Sequence, residues 1–327
     1  MLAPHLDKAF DTKDMQSVPS RNGYGEGLVE AGKRDKNVVA LAADLTESTR
    51  TLPFAEAFPD RFIQIGIAEQ NMASVASGMA AMGKVPFIAS YAMFSPGRNW
   101  EQIRTTIAYN GSNVKIIGAH AGVSVGPDGA THQAIEDIAL MRVIPNMVVI
   151  APADVHEARK ATLAAAKFDG PVYIRVGRSN TPVVTTAESP FEIGKAEVMF
   201  TKTTSTDASV GIVVTGTLLH NALKAAQALE AAGIGATVLH MPTVKPLDTK
   251  ALLELAHEHS GIVTVEEHQR AGGLGSAVTE YLCEVARIKI VRVGVDDQFG
   301  QSGEPDELLE HYGMGVEAIV AAAKKVI

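Results

Sequence analysis

Cysteine is almost absent from this chain, with Cys283 standing alone among 327 residues. A single cysteine excludes an internal disulfide and any zinc site built from several thiolates. Because Cys283 lies in an apolar helical pattern over residues 278–283, we expect a buried structural thiol. Long hydrophobic runs and a basic, apolar leader are also missing. The sequence therefore predicts neither a membrane span nor a signal peptide, and the expected location is the cytoplasm.

Positive charge and aromatic side chains are scarce as well. The chain has 29 Lys and Arg against 37 Asp and Glu, a formal net charge of −8, and 5% aromatic residues. Net negative charge argues against nucleic acid and anionic membranes as partners, so an anionic ligand needs a local cluster of positive groups. The apolar 46% is rich in small and β-branched residues, a composition typical of α/β domains.

Short β-branched runs alternate with Ala-rich helical stretches along the chain. We predict strands at 38–41, 62–65, 85–88, 114–117, 147–150, 172–175, 210–214, 237–239, 261–265 and 288–293, and helices over 70–82, 133–143, 155–167, 219–232, 274–285 and 316–325. A polar stretch over residues 181–209 interrupts this rhythm and is predicted to be a linker. The pattern predicts two three-layer α/β/α domains with mostly parallel sheets, residues 1–190 and a smaller unit of residues 191–327.

One carboxylate stands among small and apolar residues in the segment 65–72. Glu69 follows a predicted strand through a glycine turn and begins an apolar helix. A glutamate at this position can interact with the helix dipole. A buried acid in such surroundings must also be paired or must exchange a proton, which makes Glu69 a candidate for proton chemistry.

A second polar cluster lies in the glycine-rich loop 126–133, which leads into a predicted helix. A helix cap explains one of its Asp, Thr, His and Gln side chains and leaves the others unexplained. His120 and Arg178 each follow a predicted strand, and ligands bind beyond the carboxyl ends of parallel strands. Because guanidinium groups bind phosphate in a bidentate manner, Arg178, His120 and His132 together predict an anion pocket.

These segments together resemble the pyrimidine-binding and C-terminal domains of transketolases. The matching motifs are Ala43-Asp44-Leu45 and the segments 66–72, 128–133, 144–147, 151–154, 244–248, 265–268, 272–277 and 297–300. They cover nearly the whole chain in the order of the family. Several motifs in one order are a far more specific signal than any one of them.

The resemblance implies a site for the aminopyrimidine ring of thiamine diphosphate. The counterpart of Glu69 hydrogen-bonds a ring nitrogen and exchanges a proton with the ring, Phe94 matches the aromatic that stacks on it, and Tyr91 matches a second aromatic. Asp44 matches a position that contacts the cofactor behind the thiazolium ring. Gly97 stands where transketolases often carry a further aromatic, which implies a pocket trimmed at that point.

The resemblance also implies a site for a sugar phosphate. Its residues are Arg21, Ser48, His120, Asp128, His132 and Arg178. His132 and Asp128 match residues that bind substrate hydroxyls, and the others match the phosphate pocket. Glu69 and His132 are the implied catalytic residues. The implied reaction is transfer of a two-carbon ketol unit between phosphosugars, in pentose phosphate metabolism.

The family's Gly-Asp-Gly motif followed by Asn, which binds Mg²⁺ and the cofactor's diphosphate, has no counterpart in this sequence. No metal ligand is therefore assigned here. A separate N-terminal subunit is expected to supply the Mg²⁺ and diphosphate site, in a heterotetramer with two copies of each chain. The second domain is expected to serve mainly in subunit contact.

Three alternatives stay open at this point. A 1-deoxyxylulose-5-phosphate synthase would share the segment 128–133, although the segment 296–300 is more similar to transketolase. A 2-oxo-acid dehydrogenase β subunit would also supply the glutamate but would not need the phosphate pocket. A non-catalytic scaffold would retain the fold alone, and the intact Glu69, Phe94 and His132 argue against it.

Overall fold

The computed structural model describes residues 1–204 and 208–327, which form two α/β units. The strands are β1 (Ser17–Pro19), β2 (Val38–Ala42), β3 (Phe62–Gln64), β4 (Val85–Tyr91), β5 (Lys115–Ala119), β6 (Val148–Ile150), β7 (Val172–Val176), β8 (Asn180–Pro182), β9 (Glu197–Phe200), β10 (Ser209–Val214), β11 (Gly235–His240), β12 (Thr243–Lys245), β13 (Gly261–Gln269) and β14 (Lys289–Val295). The helices are α1 (Ser20–Arg34), α2 (Leu52–Ala57), α3 (Glu69–Ala81), α4 (Trp100–Gln102), α5 (Asp137–Arg142), α6 (Val155–Lys167), α7 (Leu219–Ala231), α8 (Thr249–Glu258), α9 (Leu274–Val285), α10 (Pro305–His311) and α11 (Val316–Lys324). Short 3₁₀ turns cover Pro59–Arg61, Val123–Val125 and Gly216–Leu218, and a π-helix covers Ile103–Ala108.

The first unit is built on a seven-stranded sheet in the order β12-β6-β7-β5-β4-β2-β3. All of its pairings are parallel except that of β12 with β6. Every residue of β2, β5 and β7 is buried, as expected for strands that are covered by helices on both faces. The parallel arrangement brings the carboxyl ends of six strands to one edge of the sheet.

Helix α1 lies against α6 at unusually close range because glycines form its contact face. A Cβ atom on Gly23 would lie 1.9 Å from the carbonyl oxygen of Val155, and one on Gly27 would lie 2.8 Å from Cβ of Thr162. Only glycine permits this approach. The contact fixes the start of α1, and with it Arg21, beside the carboxyl edge of the sheet.

The second unit is a five-stranded sheet in the order β14-β13-β10-β11-β9, parallel except for β9. Its buried strands and the amphipathic helices around them confirm the predicted α/β class with a mostly parallel first sheet and a smaller second one. The predicted boundary between residues 190 and 191 stays a prediction. The chain returns to the first sheet as β12 after entering the second one.

The predicted linker over residues 181–209 is more ordered than its composition indicated. Within it, β8 pairs with β1, and β9 forms the antiparallel edge of the second sheet. Both strands are too short, at three and four residues, to show an alternating pattern in the sequence. Residues 205–207 of this stretch lie outside the described residues.

Two local predictions are wrong. The helix predicted over residues 133–143 begins only at Asp137, because Gln133 is buried within the preceding loop and Ala134 forms a bridge to Ala121. Cys283 is exposed rather than buried, because it falls beside the apolar face of α9 and not on it. None of the helices in the described residues is long and apolar enough to cross a membrane.

Candidate active site

The predicted site residues gather at the carboxyl edge of the first sheet. Tyr91 is the last residue of β4, His120 directly follows β5, Asp44 lies two residues after β2, and Arg178 lies two residues after β7. Ligands of open α/β sheets bind at this edge, where loops are not constrained by the ladder. The backbone is left-handed at Asp44 (φ 60°) and His120 (φ 54°), a strain typical of functional sites.

Glu69 is the first residue of α3 and is 1% exposed. Its Oε2 accepts a hydrogen bond from Nη1 of Arg98 at 3.0 Å, and its Oε1 accepts a longer one from Oγ of Ser90 at 3.4 Å. Asn99 Nδ2 donates to the backbone oxygen of Glu69 at 3.1 Å. The buried carboxylate is thus paired, as the sequence required, and Oε1 keeps only a weak partner.

Arg98 is a site residue that the sequence did not single out. Besides its ion pair with Glu69, its guanidinium carbon lies 5.2 Å from the centre of the Phe94 ring, within cation–π range. The preceding Gly97 has no room for a side chain, because a Cβ there would lie 2.0 Å from the carbonyl oxygen of Met93. The turn that excludes an aromatic at residue 97 therefore places an arginine over the face of Phe94.

Four rings pack together beside Glu69. Tyr91 stacks on His120 with ring centres 3.8 Å apart, and it lies nearly parallel to Phe94 at 6.0 Å. The His132 ring meets Phe94 edge-on at 5.7 Å and Tyr91 at 6.1 Å. Oγ1 of Thr131 lies 2.9 Å from Nδ1 of His132 and orients this ring. The structure therefore brings both predicted aromatics and both predicted histidines into one cluster.

His120 is held as a neutral imidazole. Its Nε2 accepts a hydrogen bond from Nη1 of Arg21 at 3.0 Å, because a guanidinium can only donate, so the ring proton lies on Nδ1. Burial lowers the pKa of His120 to about 3, and the charges of Arg21 and Arg178 act in the same direction. His120 is therefore an uncharged donor at neutral pH, presenting its Nδ1 proton.

Three guanidinium groups converge around His120. Arg21 Nη1 also donates to the carbonyl oxygen of Ser48 at 2.8 Å, and burial together with Arg50 and Arg178 lowers the pKa of Arg21. Arg50 was not anticipated, although it lies only two residues beyond Ser48 in the same loop. Among the described residues, the buried atoms Nδ1 of His120 and Nε of Arg21 have no hydrogen-bond partner. Two orphaned donors within a positive cluster have the chemistry to bind an anion.

Arg178 and Asp128 face each other across this site. Nη1 of Arg178 donates to the carbonyl oxygen of Val125 at 2.8 Å, and its Nε lies 3.9 Å from Oδ2 of Asp128. Both side chains are about one-third exposed, at 34% and 36%, so each can reach a ligand. Asp44 stands apart: it is exposed, and no hydrogen bond of the described residues joins its carboxylate to the other predicted site residues.

Comparison with known proteins agrees with this arrangement. Residues 16–184 match the family "Transketolase, pyrimidine binding domain", and residues 201–319 match "Transketolase, C-terminal domain". The putative transketolase C-terminal section of Methanocaldococcus jannaschii is 44% identical over 310 residues, 94% of this chain and 95% of the relative. A 6-deoxy-6-sulfo-D-fructose transketolase subunit of Clostridium sp. (strain MSTE9) is 40% identical over 321 residues, 98% of each chain.

A solved structure is also similar over nearly its full length. It is a split-gene transketolase in the form of an inactive beta4 tetramer, 47% identical, with a TM-score of 0.87 and coverage of 94% of this chain and 98% of that one. Both domain families, the relatives and the fold agree. The chain belongs to the transketolase family, and its relatives of similar length include a transketolase C-terminal section and a split-gene transketolase.

Proposed function

We propose that this chain holds the aminopyrimidine of thiamine diphosphate and the anionic end of a sugar substrate at the carboxyl edge of its first sheet. With an N-terminal partner subunit it would transfer a two-carbon ketol unit between phosphosugars. The observation that carries the substrate class is the pair of orphaned buried donors, Nδ1 of His120 and Nε of Arg21, inside a cluster of three arginines. A phosphate supplies the acceptors that these donors lack.

The residues present fit the aminopyrimidine. Glu69 offers a buried carboxylate oxygen, Oε1, with only a weak partner, and Phe94 and Tyr91 offer half-exposed ring faces beside it. Glu69 would hold and exchange a proton with a ring nitrogen, Phe94 and Tyr91 would orient the ring, and Asp44 would lie behind the thiazolium. The cofactor, when bound, supplies the nucleophilic carbon that accepts the two-carbon unit.

The remaining residues would bind and orient the sugar. Arg21, Arg178 and neutral His120 would donate to the phosphate, with Ser48 holding Arg21 through its carbonyl oxygen. His132 contacts Tyr91 and Phe94, and Asp128 lies near Arg178; both would hydrogen-bond sugar hydroxyls. His132 would also pass protons to and from the reacting oxygen, a role suited to imidazole.

We also propose that Mg²⁺ and the diphosphate are held by the N-terminal subunit, in a cytoplasmic heterotetramer that serves pentose phosphate metabolism. Within residues 1–204 and 208–327, no group of three or more His, Cys, Asp or Glu side chains is arranged to hold a metal ion. The similar split-gene structure is described as an inactive tetramer of one kind of chain. That description supports a requirement for a second kind of chain.

A product assay on the reconstituted pair of subunits tests the function. Ketose phosphate donors with aldose phosphate acceptors should yield two-carbon transfer products. Pyruvate with an aldose phosphate would instead yield a deoxyketose phosphate if the chain were a deoxyxylulose-phosphate synthase. Carbon dioxide release from a 2-oxo acid would indicate a dehydrogenase component, and no product with any of these would indicate a scaffold.

Calorimetry on the chain alone tests the division of the site. We expect no tight binding of thiamine diphosphate and Mg²⁺ without the partner. Sub-micromolar, Mg²⁺-dependent binding, on the order of −8 kcal/mol or better, would contradict the split site.

A further inference from the structure

The loop that carries Asp128 and His132 is held in part by the second domain. We define the substrate loop as residues 121–134, between β5 and α5. Its own hydrogen bonds begin with Gly122, whose N–H donates to the carbonyl oxygen of Ala134 at 2.8 Å. The loop turns at Gly122 and Gly126, where φ is 88° and 83°. These bonds set its local shape and leave its position relative to the sheet to other contacts.

Gln133 fixes the interior of the substrate loop. Its Nε2 donates to the carbonyl oxygens of Val123 at 3.0 Å and Gly126 at 3.2 Å, and also to that of Gln301, in the second domain, at 2.9 Å. Gln133 is 2% exposed. One buried amide thus ties two turns of the loop to each other and to a segment from the far end of the chain.

Glu267 of strand β13 is the charged group of the second domain that contacts the backbone of this loop. Its Oε1 accepts a hydrogen bond from N–H of Ser124 at 2.7 Å, and its Oε2 accepts one from Oγ1 of Thr217 at 3.0 Å. The carboxylate is 3% exposed and lies directly against Gly122, where a Cβ would lie 2.2 Å from Oε1. Glycine at residue 122 and a carboxylate at residue 267 therefore fit each other.

The hold of Glu267 on the loop reaches the sugar side of the site. Ser124 accepts a hydrogen bond from Oγ of Ser179 at its carbonyl oxygen, and the next residue, Val125, accepts one from Nη1 of Arg178. Arg178 is one of the residues that we assign to the substrate phosphate. A displacement of Ser124 would therefore move the neighbouring Val125 carbonyl group that holds Arg178, and Asp128 would move with the same loop.

We propose that Glu267 is a positioning residue of the sugar-phosphate site, which gives the second domain a part in substrate binding as well as in subunit contact. This inference rests on the proposed function for the identity of the ligand. Its structural part, that Glu267 fixes the substrate loop, stands on the contacts of Ser124, Thr217 and Gly122. The two parts are separable by experiment.

Hydrogen–deuterium exchange on the full chain tests the structural part. Glu267→Asp shortens the side chain so that it cannot reach Ser124 and Thr217 together, and we expect amide exchange in residues 121–134 to rise at least about tenfold. Glu267→Gln should stay close to the wild type, because its oxygen can accept from Ser124 while its NH₂ donates to a rotated Thr217 hydroxyl. Thr217→Val, which preserves volume, should give a smaller rise in the same segment.

Glu266→Asp is the matched control, since Glu266 is the neighbouring residue of the same strand and points to the opposite face. Its carboxylate accepts from the N–H groups of Leu274 and Gly275 at 2.7 Å each, at the start of α9. Exchange should rise in α9 and not in the substrate loop. Unchanged exchange in residues 121–134 for both Glu267→Asp and Thr217→Val would overturn the inference.

Kinetics of the reconstituted enzyme tests the functional part. Glu267→Asp should raise KM for phosphosugars about tenfold with a smaller change in kcat, and Glu267→Gln should restore the wild-type KM. If loop exchange rises while KM is unchanged, Glu267 still holds the loop but the loop does not bind the sugar. That result would overturn the assignment of Asp128 and Arg178 rather than the role of Glu267 in fixing Ser124.

Discussion

The two sheets of this chain end in polar residues at their carboxyl edges, but the two edges differ in what covers them. At the first edge, Tyr91, Phe94 and Arg178 are partly exposed, and buried donors of His120 and Arg21 have no partner among the described residues. At the second edge four polar side chains are enclosed. They are His240, Glu266, Glu267 and His268, each 3% exposed or less.

The second edge is covered by the first domain itself. Nε2 of His240 lies 2.8 Å from Oε2 of Glu157 on α6, and Nη2 of Arg175 on β7 donates to the backbone oxygen of Glu267 at 2.7 Å. Because ligands bind at the carboxyl edges of parallel sheets, this chain has two candidate sites. The hydrogen-bond partners of the polar side chains at each edge distinguish them. At the second edge His240 and Glu267 bind groups of the first domain, whereas at the first edge the donors of His120 and Arg21 have no partner among the described residues and can receive a ligand.

We call the carboxyl edge of the first sheet the open edge and that of the second sheet the closed edge. Replacement of Glu69 at the open edge should have the largest effect on turnover. Glu69→Gln preserves size and shape but cannot exchange the proton, so turnover of the reconstituted enzyme should fall by about 10²–10⁴. Cofactor binding should persist, because the rings of Phe94 and Tyr91 are untouched. Exchange of the thiazolium carbon's proton with deuterated water, measured by NMR, should slow in parallel.

The closed edge offers the control. Glu266 is likewise a fully buried carboxylate at a helix start, and burial raises its pKa to about 7. Glu266→Gln should change stability while turnover stays at the wild-type level. A comparable loss of turnover in both variants would show that Glu69, like Glu266, only stabilises its helix.

The arginine at the open edge should have the next largest effect. Arg178→Ala removes a charge-assisted hydrogen bond worth about 1.5–3 kcal/mol, so KM for phosphorylated sugars should rise roughly ten- to hundredfold. KM for unphosphorylated sugars should change little. His132→Ala should impair both kinds of substrate, because its ring contacts Phe94 and Tyr91 rather than the arginine cluster. Equal losses for both substrates with Arg178→Ala would indicate a structural role.

Substitutions at the closed edge should change the free energy of unfolding rather than the rate of catalysis. Burial opposes the charged form of His240, but Glu157 outweighs it and the pKa of His240 is raised above 6.5. A raised pKa in the folded state contributes stability that is complete below the unfolded pKa and disappears as pH rises through the folded one. Glu157→Gln leaves a neutral pair, so its cost should be about 1–3 kcal/mol at pH 6 and should shrink at higher pH.

Urea unfolding of wild type and Glu157→Gln at several pH values measures this difference. Burial lowers the pKa of Lys115 to about 7, which changes stability with pH in the opposite direction. Because Lys115 is common to both proteins, its contribution cancels in the difference between them. A difference that is constant from pH 6 to pH 9 would mean that His240 does not titrate in this range.

The elements that the sequence predicted well are those with a strong periodic pattern. Strand β2 is a run of buried β-branched and small residues, and helix α6 has the predicted bounds because Asp154 caps its start by accepting from the N–H groups of His156 and Glu157. Strands β8 and β9 escaped prediction, since a pairing partner distant in sequence determines them. Local pattern cannot report contacts between residues far apart in the chain.

The residues of the candidate site differ in the same way between those indicated by local sequence and those that depend on distant contacts. Glu69, His120 and Arg178 were predictable, because each follows a strand and carries a group that needs an explanation in its surroundings. Arg98 and Glu267 were not, because their importance depends on what lies across from them. A charged residue in a Pro-Gly turn or at a strand end is usually solvated, and only the structure places it against Phe94 or Ser124.

Substitution of Arg98 should have the smallest of the expected effects. Whether the affinity for thiamine diphosphate rises or falls is the informative result. Its guanidinium contacts the Glu69 carboxylate and the face of Phe94, the two groups that we assign to the aminopyrimidine. The aminopyrimidine ring and the Arg98 guanidinium then compete for the same contacts with Glu69 and Phe94. Because the arginine side chain is 49% exposed, its ion pair is worth only about 0.2–1 kcal/mol.

Arg98→Met removes the charge and leaves a flexible stem, so the reconstituted enzyme should bind thiamine diphosphate about 1.4- to 5-fold more tightly. Titration followed by fluorescence or calorimetry measures the change, and Arg98→Lys, which retains a charge, should lie between the variant and the wild type. Weaker binding by Arg98→Met would mean that Arg98 makes a favourable contact with the bound cofactor. In that case Arg98 would be part of the aminopyrimidine site together with Glu69 and Phe94, rather than a competitor of the ring.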